Sequence, residues 1–228
     1  TLTETTAPDG YIKAESITFK VTTDKENQFI VMKDKQVFFK KIDQNGHVVI
    51  GAKLQIVEKD SQKVVETFVT DGNDYYSKNV EISKTYILKE IETPENYIKA
   101  DDIEFTVSKE DKNQIISMTD IKLDKVVISK QDATTKKELE GAHLKITDED
   151  GNIVEEWVST KESHEVMLEV GKTYTLTETT APQGYNIAES VTFTVDDNGE
   201  VVQKIVMLDQ HIPTIVKTGD SMNILAYA

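Results

Sequence analysis

Residues 175–186 read TLTETTAPQGYN, and residues 1–12 read almost the same, TLTETTAPDGYI. A looser version, ILKEIETPENYI, occupies residues 87–98. Each phrase sets a glutamate four places before a proline: Glu4, Glu90 and Glu178, standing 86 and 88 residues apart. A period of this size marks repeated structural units. After each phrase comes a short alternating run (ESITFKV, DDIEFTV, ESVTFTV), then a polar turn, then FIVMKD, IISMTD or KIVMLD. Those last runs close on Asp34, Asp120 and Asp209.

Upstream of the phrase the second and third copies also match. VFFKKID at residues 37–43 corresponds to VVISKQD at 126–132, and GAKLQI at 51–56 to GAHLKI at 141–146. Lys41 and Lys130 are thereby equivalent, each 79 residues ahead of its closing aspartate. The chain divides into the C-terminal part of a truncated unit (1–35), two full units (36–121 and 122–211) and a tail (212–228). The first unit lacks a beginning, so its strands are expected to show open edges, which proteins avoid; further residues are expected ahead of it in a parent protein.

Within a unit the signals are short, β-branched, alternating runs broken by turns such as QNG and DEDG, with no sustained helical period. About seven strands in under 90 residues predict tandem small Ig-like antiparallel β-sandwiches, an all-β chain. The PDG and PQG turns offer glycine where φ is positive, and Asn96 takes that place in the middle copy.

Composition narrows the function. The net charge of −15 repels nucleic acid and anionic membrane, so no nucleic-acid partner is expected. Without cysteine there is no disulfide and no thiolate metal site. His47, His143, His164 and His211 are scattered without ligand spacing, so no metal or other cofactor is expected.

Side chains alternate along a strand with period two. Lys130 therefore shares a face with Ile128 and Val126, and Lys41 with Phe39 and Val37; Lys40 next to it is the competing candidate for the inward position. Glu178 follows Leu176 and Tyr174, Glu90 follows Leu88 and Tyr86, Asp209 follows Met207, and Asp120 follows Met118. Any one of these groups could sit at a strand end with its head in water, or the lysine and aspartate could form a buried salt bridge of little net stability. The recurrence of all three residue types at matched spacing in both full units favours a third reading. Desolvation favours uncharged amines and acids. A neutral amine held against an acid carbonyl can attack it, with effective molarity lowering the barrier and a neighbouring acid handling protons. The product is an intramolecular isopeptide bond.

The phrase TLTETTAPQGY, preceded by VVISKQD and closed by IVMLD, resembles the Cna B-type (collagen-adhesin B-region, prealbumin-like) repeats of Gram-positive surface proteins and pilins. The resemblance covers residues 1–211. It implies Lys41–Asp120 and Lys130–Asp209 cross-links with Glu90 and Glu178 as catalytic acids. Glu4 and Asp34 match the pattern too, but their partner lysine is absent from the chain. The family more often uses asparagine as acceptor; these units carry aspartate. KEIETPENY in the middle unit departs furthest from the pattern.

Such a bond would join the first and last strands of a sandwich. Closing a loop near 80 residues would stabilise by about 4–5 kcal/mol if disulfide chain-entropy reasoning transfers, and it would need no oxidant. In the tail, IVKTGD at 215–220 resembles a sortase sorting signal with its cut between Thr218 and Gly219, although Val216 stands where proline is expected. The leading expectation is a structural stalk of a cell-wall-anchored surface adhesin or pilin, extracellular, with neighbouring repeats, sortase and peptidoglycan as partners. The alternative is a module that recognises a host matrix or glycan ligand without cross-links. No enzyme is expected beyond the single-turnover bond: a paired-carboxylate hydrolase would not need the recurring lysine and would need a cleft-forming insertion. Trp157, the one tryptophan, is expected in the core.

Overall fold

The computed structural model describes residues 1–23, 27–110, 112–197 and 202–213. These are all β, without helix among the described residues, and the chain forms two compact units, one of residues 1–124 and one beginning at Lys125. The structure takes residues 1–35 into the same unit as the middle repeat.

In the middle repeat, β1 (Val37–Asp43), β2 (Lys53–Glu58), β3 (Val64–Val69), β4 (Tyr75–Ser77), β5 (Thr85–Glu92), β6 (Tyr97–Ile98) and β7 (Ile103–Thr106) are followed by β8 (Gln114–Asp132). One sheet runs β3-β2-β5-β7, every pairing antiparallel. The other joins β4 and β8 to the two sides of β1. The inner faces bury Phe39, Leu54, Ile56, Tyr86, Leu88, Phe105 and Met118 in one core. The period-two pattern is clean on β1, where residues 37, 39, 41 and 43 are buried.

The last repeat repeats the plan. The second half of β8 stands where β1 stood, followed by β9 (His143–Thr147), β10 (Ile153–Val158), β11 (His164–Glu169), β12 (Thr173–Thr180), β13 (Val191–Thr194) and β14 (Gln203–Asp209). One sheet runs β10-β9-β12-β13; the other places β11 and β14 against β8. Ile128, Leu144, Ile146, Leu168, Tyr174, Leu176 and Met207 form its core. Trp157 is a correction to the expectation: it lies half-buried at the edge of this core, its ring stacked on His164 with centroids 4.3 Å apart.

A second difference concerns strand sense. The first and last strands of each repeat pair in parallel, Val37–Asp43 with residues 114–120, and residues 126–132 with Gln203–Asp209. Parallel neighbours cannot be joined by a tight turn; the whole repeat is the connection between them.

The turn chemistry follows the sequence. Gly10, Asn96 and Gly184 have φ of 79°, 65° and 90°, the left-handed region that glycine and then asparagine tolerate. Tyr11 N and Tyr185 N close their turns onto the carbonyls of Pro8 and Pro182, both at 3.1 Å.

Residues 1–35 form isolated bridges, Leu2 with Ile17 and Ile12 with Lys35. Their apolar side chains are poorly covered. Leu2 is 41 % exposed where its equivalents Leu88 and Leu176 are 0 %, and Val21 is 76 % exposed where Val107 is 0 %. Ile12 is the exception, fully buried in the middle repeat's core.

Candidate functional site: a buried Lys–Glu–Asp trio in each full repeat

Lys41 sits on β1 at an inward position, Asp120 on the adjacent parallel strand β8, and Glu90 on β5 in the facing sheet. The side chains of all three are fully buried. Lys41 Nζ donates to Asp120 Oδ1 and lies 3.1 Å from Glu90 Oε2. Of the two candidate lysines, the structure turns Lys41 inward. Lys40 points to the outer face, where it lies 3.6 Å from Asp74 and over the Phe38 ring.

The last repeat reproduces the arrangement. Lys130 on β8 donates to Asp209 Oδ1 on β14, and its Nζ stands 3.1 Å from Glu178 Oε1 on β12. The in-register neighbour of Lys130 is Met207, and Asp209 is opposite Asp132, so the lysine reaches diagonally two residues along the partner strand. The same offset holds for Lys41, which faces Met118.

One donor in each trio was not anticipated from the sequence. Ala188 N gives a hydrogen bond to Glu178 Oε2 at 2.7 Å, and Ala100 N approaches Glu90 Oε2 at 3.3 Å and Asp120 Oδ1 at 2.9 Å. An alanine recurs ten residues after each glutamate, and that regularity was the available signal. These amides fix the carboxyl groups against the lysine.

Burial pushes the carboxyl groups of Glu90 and Glu178 above the usual glutamate range, because nothing nearby solvates the charged form as well as water. For Glu90 a hydrogen bond with Asp120 adds to the rise, and the attraction of Lys41 opposes it. For Glu178 the Ala188 amide and Lys130 oppose the rise without cancelling it. Glu90 Oε1, Asp120 Oδ2 and Asp209 Oδ2 are buried without a hydrogen-bond partner among the described residues. Orphaned oxygens of this kind are costly when charged and cheaper when protonated.

Residues 1–35 keep half of the constellation. Glu4 Oε2 accepts from Ala14 N at 2.8 Å, the counterpart of the alanine contacts above. The Asp34 carboxyl is raised, first by burial and then by the charge and hydrogen bond of Glu4, so these two acids are neighbours. Thr218 and Gly219 lie outside the described residues.

A second polar knot lies beside the last trio. Asp132 accepts from the amides of Thr134 and Thr135 and from the Tyr185 hydroxyl at 2.8 Å, and its Oδ2 lies 3.0 Å from His211 Nε2. The Thr135 amide and the Tyr185 hydroxyl hold its carboxyl well below the ordinary carboxylate range. In the sequence Asp132 stands out only as the end of the VVISKQD string.

The two full repeats define a class: small sandwiches whose first and last strands meet over a buried amine and two buried acids. The model of the SpaA prealbumin-like fold domain matches residues 35–122 and 124–210, and the chain belongs to that family, in keeping with its Cna B-type resemblance. Among solved structures, the Bacillus anthracis TIE protein is similar at 23% identity over 78% of this chain, with a TM-score of 0.40. The chain spans 34% of that protein's length. The shaft pilin SpaA from Lactobacillus rhamnosus GG is similar at 17% identity, covering 79% of this chain and 99% of its own, with a TM-score of 0.39. A streptococcal ancillary pilin matches at 22% identity over 92% of this chain and 74% of its own, with a TM-score of 0.35. No curated protein sequence matches the chain significantly.

Proposed function

We propose that each full repeat staples itself through an amide, Lys41 to Asp120 and Lys130 to Asp209, and that the chain is a structural segment of an extracellular pilin or adhesin. The observation that carries this reading is the repeated burial of one amine between two acids, at matched spacing, in both domains. A salt bridge needs one carboxylate; the second acid, with its raised pKa, is a proton carrier placed where a condensation needs one.

The steps balance within the trio. The lysine ammonium passes a proton to the aspartate, leaving a neutral amine and a neutral acid. The protonated glutamate hydrogen-bonds the aspartate carbonyl and polarises it. The amine nitrogen attacks that carbon, the C–N bond forms, and a C–O bond breaks. Glutamate relays protons so that the oxygen leaves as water, and it finishes in the state in which it began. Contact distance between nucleophile and acyl group supplies the effective molarity, and the dry site favours the uncharged forms.

In this reading the bonds make the domains resistant to force, proteases and reductants. The pilin names among the similar structures fit such a shaft. Neighbouring pilin subunits are the expected partners, the tail at Thr218–Gly219 is the proposed sortase junction to peptidoglycan, and the repeats span residues 36–121 and 122–211. Residues 1–35 are then the C-terminal part of a truncated domain of the same kind, carrying Glu4 and Asp34. Intact mass measurement tests the chemistry: the chain should weigh two waters less than its sequence, and Glu90→Gln or Glu178→Gln should each restore one. A mass equal to the sequence mass would leave only ion pairs.

A further inference from the structure

We infer that the last domain has a port through which water and other small uncharged molecules reach the Lys130 side chain. A cavity of about 100 Å³ is lined by Lys130, Ile128 and Leu144 from the core and by Trp157, Ser159 and His164 from the rim. Lys130 is buried, yet it forms part of this wall. Glu178 and Asp209, the acids of the same trio, contribute nothing to the cavity wall and are fully buried.

The wall suits water. At ≈ 30 Å³ per molecule the space admits about three waters. Ser159, Thr160 and Ser163 are among the lining residues, so part of the wall is polar. The rim is held in place rather than loose. Ser159 is tied to Ala142 by two hydrogen bonds, Ala142 N to Ser159 Oγ at 2.9 Å and Ser159 N to Ala142 O at 2.8 Å. The Trp157 ring lies nearly parallel to His164, at 14°, and His164 Nε2 is 2.6 Å from Glu155 Oε1, which fixes the stack across the rim.

The role of the port in cross-linking rests on the function proposed above. Condensation turns an ammonium and a carboxylate into an amide and one water: the nitrogen keeps one hydrogen, and the departing oxygen takes two. That water has to leave the dry site. The cavity gives it a place next to the lysine and a way out past Trp157. Ions are excluded because stripping their hydration is far costlier than moving a neutral molecule.

The test uses the full chain carrying Glu178→Gln, in which the Lys130 amine stays free. Cyanic acid, a small neutral electrophile, adds across an amine N–H to give carbamoyl-lysine with no leaving group. Carbamoylation of Lys130 is followed by peptide mass mapping, and whole-domain opening by hydrogen exchange of the Ile128 amide. The expected result is modification several-fold faster than domain opening allows, with a further several-fold rise in Trp157→Ala and a smaller one in Trp157→Phe, each relative to its own opening rate. Modification that tracks domain opening in all three chains overturns the port, and so does a rate indifferent to residue 157. The intact mass of the unsubstituted chain keeps the two ideas apart. Two lost waters with opening-limited labelling would retain the cross-link and reject the port; no lost water with fast, Trp157-gated labelling would do the reverse.

Discussion

At the scale of the residue, the chemistry depends on which groups can lose and regain a proton in a dry site. Lys130→Arg keeps a cation at the position, but a guanidinium is always protonated and is no nucleophile. The last domain of that variant should keep its water while the middle domain still loses one, a result read directly from intact mass. Asp132 gives a pH-dependent counterpart. Its folded pKa is depressed, so its contribution to stability is present above the unfolded value of ≈ 3.9 and fades as pH falls through the folded value. Asp132→Asn should therefore destabilise the last domain most near neutral pH, and the deficit in denaturant midpoint should shrink below about pH 4. An equal deficit at every pH would mean that Asp132 acts by shape alone.

At the scale of the element, alternation on β1, β5, β8, β12 and β14 makes the trio legible in the sequence itself: a charged residue recurring among core residues in two copies is hard to explain otherwise. The same alternation settled Lys41 over Lys40 only once Asp74 and Phe38 were seen to occupy the outer face. The parallel sense of the terminal strands was not legible, because a period of two records which face a residue takes and not which way its neighbour runs. The alanine amides and the Asp132 knot were hidden too, since backbone donors leave no residue signature. Trp157 was misplaced because size and apolarity predict burial, while its stack with His164 needs the rim. On β3, Glu66 offers a test of an element's own electrostatics. Burial raises its carboxyl, opposed by hydrogen bonds from Ser77 and Asn79, and its Oε2 has no partner among the described residues. A folded pKa above the unfolded one means that stability falls as pH rises between them. Glu66→Gln should flatten the decline in the middle domain's stability between about pH 4 and neutrality, as measured by urea unfolding at each pH.

At the scale of the whole molecule, the proposed bonds would close two loops of similar length, and these should dominate stability. The doubly substituted chain, Glu90→Gln with Glu178→Gln, should lose about 4–5 kcal/mol per domain if loop-closure entropy applies to an amide as to a disulfide. Thermal unfolding before and after a reductant separates this from oxidation chemistry: the cysteine-free chain should respond to neither oxidant nor reductant. Pulling the ends of a single domain loads its parallel terminal strands in shear, and with the amide in place most of the domain's length should stay unavailable for extension. A full-length extension in the unsubstituted chain would count against the staple.

The parallel pairing of first and last strands also sets a schedule. Lys130 cannot meet Asp209 until the intervening chain has been made and folded, because the acceptor lies on the final strand. If the proposed bond forms, the polypeptide stays an open thread, able to pass end-first through a narrow channel, and would become a loop only after its last strand arrives. In the proposed reading, a domain truncated before that strand would never acquire the bond, so the amide would double as a record that folding reached completion.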